Sequence, residues 1–474
     1  MAREYHYFIG GDRRSSGERV DIVNPYGGDV AGTTFIADDN TVEEAVRASV
    51  DAFRETKALP AYRRAGILEG VVSGLGERAE EIASMITAES GKPINDARGE
   101  VKRAQNTFKL AAEEAKRLGG EVIPLDIAAG SEKRTAIVRR FPVGPLFAVS
   151  PFNFPLNLVA HKVAPAMAVG NSILLKPSPR TPLTAIILGE IIAEAGWPPG
   201  ALNIFLCSND MTGRVVEDDR VGMVSFTGSA AVGWSLKARA GRKKVALELG
   251  GNAAIVVHND ADMDYAVERA LTGAFSFSGQ VCISVQRIYV ERECYDLFLE
   301  PFLKGAAALQ SGDPMSDATR IGPLIDEAAA KKVEEWVKEA VDGGAEIALG
   351  GQRNGSFFAP TVLTGVRPDM RVSCSEVFGP LVVVEAYDDF DDALDAVNDS
   401  PYGLQAGIFT ADIKRAFHAF DVLDVGGVVI NDVPTYRVDN MPYGGVKESG
   451  FGREGVRYAM EEMTEQKLLV LNLK

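Results

Sequence analysis

The chain has 474 residues, 46% apolar and 24% charged, with a formal net charge of −16. That length allows two or three domains with ample core, and the acidic balance excludes nucleic acid or an anionic membrane surface as a natural partner. Four unpaired-looking cysteines (Cys207, Cys282, Cys294, Cys374) and four scattered histidines argue against a disulfide scaffold or a zinc site, so no metal is expected.

The first 120 residues read as a short extended entry followed by helices. "SGKP" at 90–93 stops a helix, because Gly91 accepts the left-handed conformation and Pro93 bars continuation. The next helix, roughly 96–118, places Val101, Ala104, Phe108, Ala111 and Ala115 on one face. From "EVIPLDI" to "TAIVRRFPVG" the pattern turns to β, as a long two-stranded flap. Strand, loop and helix then alternate. Continuous apolar runs at 146–150, 172–176, 202–206, 222–226 and 245–249 read as strands buried on both faces of a parallel sheet. One intervening helix is expected to start with Thr181 as N-cap and Pro182 at its first position, ending before Gly196. A second alternating region covers about 253–445, and "KLLVLNL" near the end is an edge strand in search of a sheet. The fold class is therefore α/β, doubly wound, with ligands expected beyond the carboxyl ends of the strands. No apolar run reaches the ~18 residues of a membrane span, and the opening lacks the core of a secretory signal, so a reducing cytoplasm is the expected location.

Unusual residues collect at those strand ends: "PFNFP", "KPSPRTP", "TGSAAVG" and Glu248 before two glycines. Each has a plain structural alternative. Lys176 fits a solvated strand end, "TGS" a turn into a helix, and Glu248 a paired structural carboxylate. Equally, a Ser-Gly turn opening a helix presents amides to a phosphate, and a buried carboxylate with a raised pKa is a poised base. Cys282, in "FSFSGQVCISVQR", is either a small core residue or a thiol brought up by a flexible Gly-Ser approach to react.

Together the motifs "SPFNFP" (150–155), "LLKPS" (174–178), "FTGS" (226–229), "LELGGN" (247–252), "GQVC" (279–282), "EVFGP" (376–380) and "MPYGGVKESG" (441–450) resemble the aldehyde dehydrogenase superfamily over essentially the whole chain. The resemblance implies a Rossmann-like cofactor domain (1–116 and 141–252), an α/β catalytic domain (253–445) and a β-flap for oligomerisation (117–140 and 460–474). It implies a homodimer or homotetramer, with Cys282 as nucleophile, Asn153 as oxyanion donor beside the Cys282 amide, and Glu248 as the base that activates water. Relatives that pass the acyl group to coenzyme A typically lack that glutamate, so hydrolysis to a free acid is implied.

The cofactor positions carry over one by one. Lys176 matches the adenosine-ribose position, Gly228 and Ser229 the pyrophosphate, and Glu376 with Phe378 the nicotinamide ribose. The resemblance also implies cofactor-binding positions at Ser150, Pro151, Phe152, Asn153, Gly213, Phe226, Thr227, Val232, Leu249 and Gly250. Many NAD-preferring relatives carry a glutamate three residues after the lysine; here Pro179 stands there, followed by Arg180. Without a carboxylate to repel a 2′-phosphate, and with Ser178 and Arg180 to hold one, NADP is favoured over NAD.

The matching substrate positions are Phe154, Asn157, Leu158, His161, Val281, Ile283 and Arg437, with Arg103 from the long helix. Arg437 replaces an aromatic of many relatives, and its alternatives are a partner in Asp439 or contact with the substrate; His161 is alternatively a satisfied helix histidine. A short hydroxylated or anionic aldehyde is expected. Relatives acting on glyceraldehyde phosphate carry arginine before the nucleophile where this chain has Val281, which puts a lactaldehyde-like substrate ahead. A succinate-semialdehyde-type enzyme is the runner-up. A cysteine hydrolase or a catalytically silent dinucleotide-binding protein are the rival classes.

Overall fold

Five short apolar runs line up as the parallel centre of an eight-stranded sheet. In this computed structural model, which describes residues 3–473, their spatial order is Leu202–Ile204, Ile173–Lys176, Leu146–Val149, Met223–Thr227, Lys244–Glu248. The strand that comes first in the chain, Leu146–Val149, is central, and successive crossovers run first to one side and then to the other. The crevice where that direction reverses opens between Val149 and Thr227, which are followed by Ser150 and Gly228. All four residues of Leu146–Val149 and of Ile173–Lys176 are buried, as parallel strands covered by helices on both faces should be.

The entry is more structured than expected. Tyr7–Ile9 joins this sheet antiparallel to Leu202–Ile204 and carries Asp12–Arg14 outside it. The four helices that follow end in Ile94–Ala115, slightly earlier than expected, with Val101, Ala104, Phe108, Ala111 and Ala115 all buried. Gly91 is left-handed at φ 72°, as the "SGKP" stop requires.

One predicted cap is wrong. The helix starts at Leu183 with no side-chain cap from its own segment, and Thr181 Oγ1 donates instead to the Phe152 carbonyl at 3.4 Å. The buried Glu89 carboxylate reaches across from the preceding helical layer and accepts from the Leu183 and Thr184 amides at 2.8 and 3.1 Å. A carboxylate at a helix N-terminus satisfies the free amides wherever it comes from in sequence.

The second region forms a seven-stranded sheet centred on Val285–Glu291 and Ala253–Val257, with Leu381–Tyr387 and Gln405–Phe409 on either side. The chain then returns to the first sheet, pairing Gly450–Phe451 with Leu247 and Glu248. The flap is three-stranded: Arg134–Pro142 pairs antiparallel with Glu121–Pro124 and, over nine residues, with Thr464–Asn472, the strand found from "KLLVLNL". Among the described residues no helix is long and apolar enough to cross a membrane.

Candidate active site

Cys282 is delivered by a strained turn. The helix Met263–Phe275 stops, and Phe277 and Ser278 adopt positive φ (47° and 53°) before Gly279 at 70°. A side chain at Gly279 would collide with the Gly379 carbonyl. Positive φ in Phe and Ser is costly and persists only where surroundings enforce it. Here Ser278 Oγ donates to the Gly322 carbonyl (2.8 Å), Gln280 Oε1 accepts from the Ile325 amide (2.9 Å), and Asp96 accepts from the Phe277 amide (3.3 Å). Asn153 Nδ2 donates to the Gln280 carbonyl at 2.9 Å, two residues before the thiol. One amide hydrogen of Asn153 thus remains available, and its Oδ1 has no partner among the described residues.

The Cys282 sulfur stands 3.1 Å from the Tyr443 hydroxyl. Burial pushes the thiol up to about 11; Tyr443 and Arg437 work against that rise, and the charges of Glu376 and Glu248 add to it. Glu248 ends the strand Lys244–Glu248 and is buried, with neither carboxylate oxygen hydrogen-bonded among the described residues. Burial, then the charge of Glu454, push its carboxyl well above the ordinary value, against the pull of Arg437, Lys162 and Arg453. Gly251, three residues on, packs against the Cys282 carbonyl, where any side chain would clash. The "LELGG" turn and the cysteine loop therefore meet directly.

A cavity of about 480 Å³ opens beside the thiol. Its walls include Cys282 and the predicted Arg103, Phe154, Asn157, Leu158, Val281, Ile283 and Arg437, together with residues sequence reasoning did not single out: Lys92, Asp96, Glu100, Arg269, Phe277 and Tyr443. His161 is not among them. It is buried behind the wall, with Nε2 2.9 Å from Asp439. Burial, then the Arg437 charge, lower its pKa, so Nε2 carries its proton toward Asp439 and the 3.3 Å approach of Arg437 to the same nitrogen is a contact only.

Of the two alternatives for Arg437, the pair with Asp439 does not form. Asp439 is taken by Arg103 (2.9 Å) and His161, which hold its carboxyl well below the ordinary range although burial pushes it up. Arg437 instead lies over the Tyr443 ring, 3.6 Å from its centroid, and reaches Glu454 at 3.3 Å. Glu454 also pairs with Lys162 at 3.2 Å, and Lys162 donates to Ser225. On the opposite wall the fully buried Lys92 pairs with Glu100, whose other oxygen accepts from the Leu156 and Asn157 amides at 2.9 and 3.0 Å. Lys92 was visible in "SGKP", but only as part of a helix stop.

The crevice at the crossover fits a dinucleotide. Ser150 Oγ and Thr227 Oγ1 are buried there without partners among the described residues. The helix Ala230–Arg239 opens behind Ser229 with no side-chain cap, leaving its first amides free for a phosphate. Lys176 is buried at its strand end, and burial lowers its pKa. Across the crevice Glu376 accepts from the Gly251 amide at 3.0 Å and packs over Gly250; burial raises its carboxyl to about 7. Phe378, at φ 59°, packs edge-on to Phe152 at 5.8 Å. Phe226 and Leu249 are core residues around Gly228 and Gly233, Val232 is half exposed, and Gly213 packs beneath Arg239. Pro151 follows Ser150 along the rim. Ser178 Oγ accepts from the Arg180 amide at 3.2 Å, and the Arg180 guanidinium pairs with Asp326 at 2.7 Å, next to Pro179.

Residues 13–469 match the aldehyde dehydrogenase family. The chain is 45% identical over 474 residues to 3-sulfolactaldehyde dehydrogenase of Priestia aryabhattai, covering 100% of this chain and 99% of the relative. Among solved structures, aldehyde dehydrogenase 21 from Physcomitrella patens, in complex with the reaction product succinate, superposes with TM-score 0.98 at 47% identity, covering 100% of this chain and 99% of that one. Glyceraldehyde-3-phosphate dehydrogenase from Methanocaldococcus jannaschii, complexed with NADP, gives TM-score 0.92 at 40% identity, covering 97% and 99%.

Proposed function

The chain belongs to the aldehyde dehydrogenase family, and from that premise we propose that it oxidises a short anionic aldehyde, hydroxylated or not, to the carboxylic acid with NAD(P). One observation carries the substrate class. The cavity that ends at Cys282 is walled by three guanidiniums, Arg103, Arg269 and Arg437, and the partly exposed Arg103 meets Asp439 through Nη2 alone, leaving Nη1 without a partner among the described residues. An unsatisfied guanidinium N–H in a binding wall is matched by a carboxylate or sulfonate. Relatives support this: one is a 3-sulfolactaldehyde dehydrogenase and another was crystallised with its product succinate.

The Cys282 thiolate attacks the carbonyl carbon. The electron pair released onto oxygen meets the remaining Asn153 amide hydrogen and the Cys282 backbone N–H. A bound nicotinamide supplies a two-electron acceptor for the aldehyde hydrogen. Cys282 then carries the acyl group as a thioester. Glu248 takes a proton from water, which adds to the acyl carbon and releases the acid and the Cys282 thiolate. Lys176 and Ser178 would hold the adenosine end of the cofactor, Ser229 with the helix amides the diphosphate, and Glu376 the nicotinamide ribose. NADP is favoured because Pro179 offers no carboxylate and Arg180 stands beside Ser178.

The two large sheets are read as the cofactor domain (1–116 and 141–252) and the catalytic domain (253–445). The flap exposes Leu468, Leu469, Val470 and Leu471, which favours a homodimer or homotetramer built on that sheet. Free cysteines suit the cytoplasm. The test is a panel of equal-length aldehydes bearing sulfonate, carboxylate, hydroxyl or methyl ends, assayed with NAD and NADP separately. The anionic members should give the highest kcat/KM; preference for the uncharged lactaldehyde or alkyl members would overturn the substrate class.

A further inference from the structure

We infer that Tyr443 is a catalytic hydrogen-bond donor to the Cys282 thiolate, made effective by the Arg437 guanidinium stacked on its ring. The inference rests on the reading of Cys282 as nucleophile and adds a residue to it. The Tyr443 hydroxyl lies 3.1 Å from the sulfur and has no other hydrogen-bond partner among the described residues. With a neutral thiol, either group can be the donor. Once sulfur is ionised only the phenol has a proton to give, so the contact favours the thiolate by construction.

Two features hold the phenol to this task. Reciprocal backbone hydrogen bonds to Glu454 of 3.0 and 2.6 Å fix the point from which the side chain extends, and burial of the ring restricts its rotation. The Arg437 guanidinium sits 3.6 Å from the ring centroid, and a cation on the π-face draws electron density from the ring and sharpens the O–H as a donor. Burial keeps the phenol protonated across the working range, since its ionisation is pushed well above the ordinary value. Tyr443 is thus a donor and not a base: the thiol proton leaves to solvent through the open cavity, and the phenol steadies the charge that stays behind.

The measurement is the rate of iodoacetamide alkylation against pH, with the labelled peptide identified by mass spectrometry, for the wild type and Tyr443→Phe. Phenylalanine retains the ring and its stacking with Arg437, so the fold is left in place. The Cys282 alkylation midpoint should move upward by about one pH unit or more, as loss of a charge-assisted bond demands. At about pH 8 the rate should fall roughly three- to tenfold, because a more basic thiolate is also a better nucleophile and recovers part of the loss. Steady-state kcat/KM for aldehyde should fall in parallel, and its rise with pH should shift in the same direction. Coincident alkylation profiles while Cys282→Ala is inactive would overturn this inference alone. A shifted profile with an active Cys282→Ala would leave the hydrogen bond standing and overturn the nucleophile assignment.

Discussion

Replacing Arg103 by methionine isolates the proposed anion contact better than any change at Arg437. Methionine retains the packing of the stem and removes the guanidinium. The partner left behind, Asp439, keeps His161 at 2.9 Å, so its charge is not stranded. The lost interaction is a hydrogen bond to a charged group, worth ~1.5–3 kcal/mol. The Arg103 side chain is 33% exposed, and solvent screening places the loss toward the lower end, ~1.5–2 kcal/mol. That corresponds to a fall of roughly 10- to 30-fold in kcat/KM for sulfonated or carboxylated aldehydes. Because the anion is held alike before and during the chemical step, the fall should reside mainly in KM. Alkyl aldehydes of equal length should change by less than about twofold. The assay follows reduced-nicotinamide absorbance at saturating cofactor, with a thermal melt to verify folding. Equal losses on both substrate types, or none on the anionic ones, would refute the assignment.

Glu248→Gln should still form an acyl adduct on Cys282, detectable by intact mass, while turnover falls by about 10²–10⁴-fold, the range for loss of a general base. Since burial raises the Glu248 carboxyl and only the carboxylate accepts a proton, wild-type hydrolysis should weaken as pH falls, and the variant should lose that dependence. Arg180→Ala should narrow the KM advantage of NADP over NAD, whereas Asp326→Asn, which frees Arg180 and keeps an N-cap side chain, should widen it; no change in either ratio would remove Arg180 from the cofactor site. Lys92→Met strands the fully buried Glu100 and should cost ~3–5 kcal/mol of stability, with partial recovery in the Lys92→Met/Glu100→Gln double variant by denaturant melts.

The strands and their carboxyl ends were legible because burial on both faces writes itself as contiguous apolar runs, and Lys176, Thr227 and Glu248 each close one of them; the order of the strands in the sheet was not. What escaped were pairings between distant segments. Nothing near Thr181 reveals that Glu89, about ninety positions upstream, caps its helix. Arg437 is two residues from Asp439, yet the loop turns them to different partners: Arg103 and His161 claim the aspartate, and Glu454 with the Tyr443 ring claims the arginine. His161 carries the helical spacing of a wall residue, but Arg437 and Asp439 close in front of it. Tyr443 lay in plain view inside "MPYGGVKESG"; only its distance from sulfur separates it from an ordinary core aromatic.

These contacts also bear on the order of events. In the resting site the ionisations of Cys282 and Glu248 oppose one another: burial raises both, and the Glu248 charge counts against the thiolate. Two negative charges in one enclosed space are unfavourable, so the first step is best served by a thiolate beside a protonated Glu248. Acylation removes that conflict, since a thioester sulfur carries no charge. Glu248 then ionises more readily, with Lys162, Arg437 and Arg453 drawing it in that direction. Burial opposes the carboxylate throughout; what changes on acylation is that the thiolate charge, which adds to that opposition, is gone when a base is needed. Under the proposed mechanism a single carboxylate therefore stays silent through attack on the aldehyde and acts in hydrolysis, without any movement of the strand that carries it.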